Sequence, residues 1–199
     1  MATRDEKCVL IAFGSNLATG DMQPAQIISA SATRICELGG TLEKMSQLYK
    51  TPCFPADAGP DYVNAAAKLT WRKGMTAGQI LDVLHKVEAE FGRERLQRWG
   101  TRTLDIDLIA VGDSVVPDAT TQDRWRNLPI HEQMLRAPDQ LILPHPRLAD
   151  RAFVLVPLMD IAPNWRHPRT GRTVRQMLAA LPKPDLDAVT PIYSGLRSI

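Results

Sequence analysis

One stretch decides the fold expected of this chain: RERLQRWGTRTLDIDLIA, residues 93–110. Its second half alternates apolar and acidic residues, which is typical of a half-buried strand. Asp105 and Asp107 would share one face of that strand, roughly 6.5 Å apart. The opposite face is predicted to carry apolar side chains: Leu104, Ile106, Leu108 and Ala110.

The acid pair is suited to metal chemistry at phosphate. Two carboxylates on a rigid strand can hold one or two Mg²⁺ ions, because this hard cation prefers oxygen ligands and shares them with substrate phosphates. The preceding loop carries cationic side chains that can meet phosphate charge: Arg93, Arg95, Arg98 and Arg102. For the two acids alone, a solvated strand face is the commoner explanation. The adjacent arginines favour phosphoryl transfer.

The bulk composition predicts one domain, residues 1–199, with a sizeable core, since 44% of the 199 residues are hydrophobic. A formal net charge of +2 argues against a nucleic-acid partner. The scattered cysteines, Cys8, Cys36 and Cys53, predict reduced thiols and a cytoplasmic location. The apolar run at 8–13 is too short for a leader segment or a membrane span. We expect a monomer without membrane contact.

Strand and helix patterns alternate along the first 111 residues. Strands are predicted at 8–13, 42–50 and 61–71, and helices from Pro24 to Leu38 and from Thr76 to Phe91. With the Asp105 strand, the order is strand, helix, strand, strand, helix, strand. This order predicts an α+β fold, a ferredoxin-like split βαβ sandwich with an antiparallel sheet. We expect the helices to cover one face and to leave the other free for a site.

The remaining residues predict an insertion, C-terminal helical additions and a tail. Residues 117–140 are polar and mixed, with a short helix predicted near 129–136. A loose surface loop and a substrate lid explain this insertion about equally well. Helices are predicted at 152–161 and 173–181, and a weakly ordered tail at 183–199.

Residues 98–109, RWGTRTLDIDLI, strongly resemble the signature of the 6-hydroxymethyl-7,8-dihydropterin pyrophosphokinase (HPPK) family of folate biosynthesis. Other stretches match that family in order: GSNL at 14–17, YKTP at 49–52, DYVNAA at 61–66, FGR at 91–93, PHPR at 144–147, RAF at 151–153 and VPL at 156–158. Together they cover most of residues 8–164, the expected core of the pyrophosphokinase domain. The resemblance implies the same ferredoxin-like fold. It also implies pyrophosphoryl transfer from ATP to the hydroxymethyl group of the pterin, with release of AMP.

The resemblance also implies roles for individual residues. Asp105 and Asp107 would bind two Mg²⁺ ions, and Arg93 and Arg102 would neutralise phosphate charge, so these four form the catalytic set. The residues that the resemblance assigns to ATP are His85, Glu88, Arg95, Arg98, Trp99, Arg102, Leu108, His145 and Arg151. The arginine loop is one residue shorter than the family pattern, which leaves the register of Arg95 and Arg98 open.

A second set of residues is implied for the pterin. It comprises Thr51, Pro52, Cys53, Phe54, Tyr62, Asn64, Trp99 and Phe153. The flat ring would stack between Tyr62 and Phe153, and its polar edge would meet Asn64 and Thr51. Without the resemblance, aromatic residues on strands are more often core, and Asn64 could cap a turn.

The chain departs from the family pattern at several positions. His85 stands where many relatives have glutamine, and Gln140 where a relative can have arginine. Cys53 and Phe54 replace a more usual Pro-Leu-like pair. The insertion at 117–140 is longer than in compact bacterial members. These departures bear on nucleotide affinity more than on the type of reaction.

Two rival functions fit the same fold class. A nucleic-acid-binding module would stack bases on exposed sheet aromatics, but the strands carry no such aromatic run. A two-metal nucleotidyl transferase or cyclase would also use acidic strand residues, and its products would differ.

Overall fold

The computed structural model describes residues 7–53, 59–71, 74–92 and 103–192. Within these residues six strands form one antiparallel sheet, with helices on both faces. The elements follow in chain order as β1 Lys7–Ser15, α1 Pro24–Glu37, β2 Gly40–Met45, β3 Tyr49–Thr51, β4 Tyr62–Trp71, α2 Ala77–Glu90, β5 Asp105–Val111, α3 Ala119–Arg126, α4 Ile130–Leu135, α5 Ala152–Ile161, α6 Val174–Leu178, α7 Lys183–Asp187 and β6 Thr190–Pro191.

The strand order is β5-β1-β4-β3-β6, and β2 also pairs with β4. This arrangement confirms the predicted α+β, ferredoxin-like architecture. The single strand predicted at 42–50 is wrong, because this segment divides into β2 and β3. The two strands pair with different halves of β4: β2 lies opposite residues 67–71 and β3 opposite residues 62–64.

One face of the sheet packs against α1 and α2. Their apolar stripes bury residues such as Ile28, Ile35 and Leu84 against Ile11 and Leu69. The prediction that these helices cover one face is therefore confirmed. Thr76 caps α2, since its hydroxyl accepts a hydrogen bond from the Gln79 N–H at 3.2 Å.

The other face is not free along its whole length, as the sequence had led us to expect. Helices α5 and α6 cover part of it, and Leu155 and Leu158 are fully buried there. Small side chains on the strands, including Ala12 and Ala66, leave room for α5 to approach the sheet. The part of this face that α5 and α6 do not cover, which we call the open face, lies near Gly14.

A β-bulge corrects one prediction about β5. Leu10 of β1 lies opposite Ala110, but Ile11 lies opposite Leu108, so the register shifts at Ile109. Ile109 and Ala110 consequently both belong to the cluster under α5, whereas Leu108 packs on the α1–α2 side. Ala110 therefore does not share a face with Leu108, because the extra residue reverses the alternation.

The C-terminal residues are more structured than the sequence indicated. We expected weak order from residue 183, but residues 183–187 form α7 and β6 pairs with β3. The apolar Val189 explains the difference, since it packs with Tyr49 and Ala152. Residues 193–199 lie outside the described residues.

In the insertion, α4 agrees with the short helix predicted near 129–136, whereas α3 was not predicted. Among the described residues, no helix combines the length and apolar character that crossing a bilayer requires.

Candidate active site

The open face carries a row of polar residues that runs across three strands. Gly14 of β1 lies opposite Asp105 of β5 on one side and opposite Asn64 of β4 on the other. Directly opposed residues in antiparallel strands point to the same face. Asp105 and Asn64 therefore flank Gly14, about 10 Å apart across two strand spacings. In the next row Asp107 lies opposite Ala12, whose partner on β4 is Ala66.

Gly14 keeps the middle of this row open. A β-carbon at this position would lie 3.6 Å from the Asn64 amide oxygen and 3.9 Å from Cδ1 of Tyr62. These are ordinary van der Waals distances, so the glycine is not sterically required there. A side chain would instead occupy the space between the acid pair and Asn64.

Asp107 has a cationic partner from the start of α5. Its Oδ2 accepts a hydrogen bond from Nη1 of Arg151 at 2.8 Å, and both side chains are partly exposed. The Arg151 guanidinium also lies 5.5 Å from the ring centroid of Phe153, within cation–π range. The structure thus brings together three of the predicted site residues, which the resemblance had assigned to metal, ATP and pterin.

His145 joins this group from the segment before α5. Its backbone N–H donates to the Ile109 carbonyl at 2.9 Å, and its Nδ1 accepts from the Arg147 N–H at 3.2 Å. Burial lowers the pKa of His145 to about 4, Asp107 opposes that shift, and Arg151 and Arg147 add to it. The imidazole is therefore neutral at physiological pH.

The pterin residues that are described lie on the neighbouring strands. Thr51 and Asn64 are buried and bonded to each other, with Asn64 Nδ2 donating to Thr51 Oγ1 at 2.9 Å. Tyr62 lies opposite Thr51 and is half-buried. This placement argues against Asn64 as a simple turn cap, because it lies within β4. Phe153 on α5 is 39% exposed, so its ring is available to a ligand.

The loop after β3 completes the described pterin set. Pro52 is exposed and Cys53 is half-buried. The role of Cys53 in pterin binding rests on the family resemblance alone and stays a prediction.

Three residues predicted for ATP lie on α2 or in the core that it covers. Glu88 is 1% exposed, and its Oε1 accepts a hydrogen bond from the Ile106 N–H at 2.7 Å. Leu108 is buried in the α1–α2 core, and His85 is half-buried on α2. The structure does not bring these side chains to the open face, and their nucleotide roles stay predictions.

Six predicted site residues lie outside the described residues: Phe54, Arg93, Arg95, Arg98, Trp99 and Arg102. Their roles in catalysis, ATP binding and pterin binding stay predictions.

Two residues that tie the site together were missed from the sequence. Asn16 is buried and donates through Nδ2 to the Pro60 carbonyl at 3.1 Å, and the Ser15 hydroxyl donates to the Thr103 carbonyl. These bonds hold the end of β1 to the segments that precede β4 and β5. The only signal was a Gly-Ser-Asn run, which also fits an ordinary strand-to-helix turn.

Comparison with known proteins decides the family. A family model described as 7,8-dihydro-6-hydroxymethylpterin-pyrophosphokinase (HPPK) matches residues 10–163. The chain belongs to this family. The HPPK resemblance seen in the sequence is thereby confirmed.

Named HPPK relatives and solved structures agree with this assignment. A Pseudomonas aeruginosa protein named 2-amino-4-hydroxy-6-hydroxymethyldihydropteridine pyrophosphokinase is 38% identical over 176 residues, 87% of this chain and 91% of that protein. A Synechocystis protein of the same name is 36% identical over 159 residues, 80% of this chain and 68% of that protein. The crystal structure of wild-type Plasmodium falciparum HPPK-DHPS has a TM-score of 0.59 and 12% identity, covering 90% of this chain and 45% of that one. This chain thus spans less than half of the Plasmodium chain, and the likeness concerns the fold alone.

Asp105 and Asp107 can bind Mg²⁺ only if other ligands complete the coordination shell of the ion. Across residues 7–53, 59–71, 74–92 and 103–192, no group of three or more His, Cys, Asp or Glu side chains could hold a metal ion. Mg²⁺ commonly takes one or two protein carboxylates and fills its octahedron with water and substrate phosphates. Asp105 and Asp107, partly exposed on one rigid strand, match that donor set.

Proposed function

We propose that this chain transfers the pyrophosphoryl group of ATP to the hydroxymethyl oxygen of 6-hydroxymethyl-7,8-dihydropterin and releases AMP, a step of folate biosynthesis. The observation that carries the proposal is the row on the open face, where Asp105 lies two strands from Asn64 with Gly14 between them. Membership of the HPPK family and the names of the relatives support the same reaction.

The row of polar residues would place pterin binding on the β4 side of β1 and triphosphate binding on the β5 side. Asn64 and Thr51 present a rigid amide–hydroxyl pair that suits the hydrogen-bonding edge of a pterin. Tyr62 and Phe153 offer aromatic surface for the ring. Asp105, Asp107 and Arg151 lie towards β5, where a triphosphate would carry its charge. A separation of about 10 Å leaves space for the hydroxymethyl arm and the phosphate that it attacks.

The residues of the chain would contribute mainly by positioning and by charge. When bound, Mg²⁺ supplies neutralisation of the triphosphate and increases the acidity of the attacking hydroxyl. Arg151 can donate to phosphate oxygens with the same guanidinium that now bonds to Asp107. Arg93 and Arg102 are assigned to the transferred and leaving phosphates. Because Nδ1 of neutral His145 already accepts from the Arg147 N–H, its Nε2–H can donate one hydrogen bond without adding charge.

Further features of the proposal rest on the family and on composition. We assign two Mg²⁺ ions to Asp105 and Asp107, with ATP as co-substrate. We also propose a cytoplasmic monomer that acts on small molecules, without nucleic-acid or membrane partners. Analytical ultracentrifugation tests the monomer, and titration of Mn²⁺ in the presence of an ATP analogue counts the ions.

Phosphorus NMR of the purified chain with ATP, Mg²⁺ and the reduced hydroxymethylpterin tests the reaction. AMP together with a new pterin diphosphate ester is the expected result. Transfer of the pyrophosphoryl group requires attack at the β-phosphorus of ATP. Formation of ADP would instead indicate an ordinary kinase and would contradict that attack. A pterin-independent adenylyl transfer or cyclisation would support the two-metal nucleotidyl transferase or cyclase alternative.

A further inference from the structure

The insertion at 117–140 contains a buried glutamine that reaches towards the proposed nucleotide site. Gln122 on α3 is fully buried, although amide side chains are mostly exposed in proteins. Its Nε2 donates to the carbonyl of Pro144 at 3.2 Å. Pro144 directly precedes His145, whose backbone N–H bonds to the carbonyl of Ile109, two residues along β5 from Asp107. A surface insertion therefore contacts the backbone next to a predicted ATP residue.

Besides the local bonds of His145 to Arg147 and Leu148, three attachments fix the short segment from Leu143 to His145 to more distant parts of the chain. Leu143 exchanges two backbone hydrogen bonds with Val116, at 2.9 and 3.0 Å. The Gln122 amide holds Pro144 in the middle, and the His145 N–H bonds to the Ile109 carbonyl at 2.9 Å. The first and last attachments are backbone bonds that any residues could form. Only the middle one depends on the identity of a side chain.

Helix α3 is capped at its N-terminus, and an ion pair in its second half joins it to the segment before α6. The Asp118 side chain caps its N-terminus and accepts from the Thr121 N–H at 2.9 Å. Asp123 forms ion pairs with Arg126 and with Arg169 from the segment before α6. The cap and the Arg126 pair lie within the helix, whereas the Arg169 pair and the buried Gln122 join it to other segments. A helix joined in this way does not fit a loose loop or a freely moving lid.

We propose that Gln122 is a positioning residue for nucleotide binding, which holds the Pro144 carbonyl and so fixes His145 beside Asp107 and Arg151. This assignment rests on the proposed function, since it gives His145 its role towards ATP. The reason is geometric: without the amide, the segment is held only at its two ends, and His145 gains freedom that nucleotide binding must remove.

The test measures binding of a non-hydrolysable ATP analogue with Mg²⁺ by titration calorimetry. Gln122→Met keeps the length of the side chain and removes the donor. We expect its Kd to rise about five- to tenfold, with pterin KM and kcat within about twofold of the parent. Gln176→Met is the matched control, because it removes a glutamine that accepts from the Thr173 N–H at 3.0 Å on α6. The control should keep the parent Kd.

A double variant separates positioning from general loosening of the fold. If Gln122 acts through His145, then Gln122→Met combined with His145→Ala binds the analogue no more weakly than His145→Ala alone. Multiplying effects would show that Gln122 acts independently and would overturn the proposal. A His145→Ala variant with parent affinity, or an unchanged Kd in Gln122→Met, would also overturn it.

Two further results keep the outcome clear. If Gln122→Met fails to fold, the exposed Asp118→Ala replaces it: fraying of α3 should then raise the Kd about two- to threefold, and an unchanged Kd counts against the proposal. A parent that binds the analogue but releases no AMP with the pterin refutes the proposed reaction and leaves this test valid. A parent that does not bind the analogue refutes both.

Discussion

Asp107 is paired with Arg151 at 2.8 Å, and the proposed reaction also needs its carboxylate for Mg²⁺. The Arg151 guanidinium and a metal ion would compete for the same carboxylate oxygen, Oδ2 of Asp107. Under the proposed reaction, Arg151 would be a counter-ion that nucleotide phosphates draw away from Asp107 when Mg²⁺ binds. The partial exposure of both side chains makes that exchange inexpensive.

Arg151→Ala should consequently have opposite effects on metal and on nucleotide. We expect nucleotide-free protein to bind Mn²⁺ about two- to fivefold more tightly, because the competing cation is gone. The KM for ATP should rise about tenfold or more, because one phosphate contact is lost. Electron paramagnetic resonance of free Mn²⁺ and steady-state kinetics measure the two quantities. Weaker Mn²⁺ binding by the variant would show that Arg151 does not compete for Asp107.

Asp107→Asn should abolish turnover while leaving the fold intact. The amide keeps the size of the side chain but loses the charge that a hard cation requires, so we expect kcat to fall by about 10²-fold or more. AMP release and thermal melting measure the two effects. Asp113→Asn is the control, since Asp113 is exposed in the turn after β5 and should retain parent activity. Substantial Mg²⁺-dependent activity in Asp107→Asn would contradict the metal assignment.

At the level of elements, a single buried carboxylate joins α2 to β5. Glu88 accepts a hydrogen bond from the Ile106 N–H at 2.7 Å. Ile106 lies between Asp105 and Asp107 in the sequence. Glu88 thereby helps to set the position of the strand on which the acid pair lies. The resemblance assigns Glu88 to ATP binding, whereas in the structure its carboxylate bonds to the backbone of β5.

Replacing Glu88 distinguishes these two roles. Glu88→Ala should lower the free energy of unfolding by about 2–4 kcal/mol, through a cavity and an unsatisfied Ile106 N–H. Glu88→Gln retains an acceptor and should recover most of that loss. Urea denaturation gives the stabilities, and Glu90→Ala, on the exposed end of the same helix, should lose less stability than Glu88→Ala. A Gln variant with parent stability and a raised KM for ATP would favour direct nucleotide contact.

The elements show what the sequence could and could not predict. The period-two pattern placed Asp105 and Asp107 on one face of β5, because alternation is a local property. It misplaced Ala110, because the bulge at Ile109 arises from pairing with β1, which is distant in sequence. Helix α3 was missed for a similar reason: its one buried residue is the polar Gln122, so no apolar stripe marks it. Local patterns found the chemistry, and long-range contacts decided how the site is supported.

Across the whole molecule, two histidines make stability depend on pH. Burial, the largest cause, lowers the pKa of both His145 and His167 to about 4. For His167, Arg126 and Arg169 strengthen the shift and Asp123 opposes it. The unfolded chain takes up these protons near pH 6.5, whereas the folded chain does so only near pH 4. The contribution of these two histidines to stability is therefore fully present above about pH 6.5 and is lost as the pH falls towards 4.

His167→Asn should remove part of that loss. His167 is 1% exposed, and its Nδ1 accepts from the Arg169 N–H, a bond that an asparagine oxygen can replace. We expect the parent to lose about 2 kcal/mol more than the variant between pH 7.5 and 4.5, even if the variant is less stable at pH 7.5. Urea denaturation at both pH values measures the difference. His131→Asn, at an exposed position on α4, should lose as much as the parent. Equal losses in the parent and in His167→Asn would mean that the buried imidazole takes up its proton as readily in the folded chain as in the unfolded one.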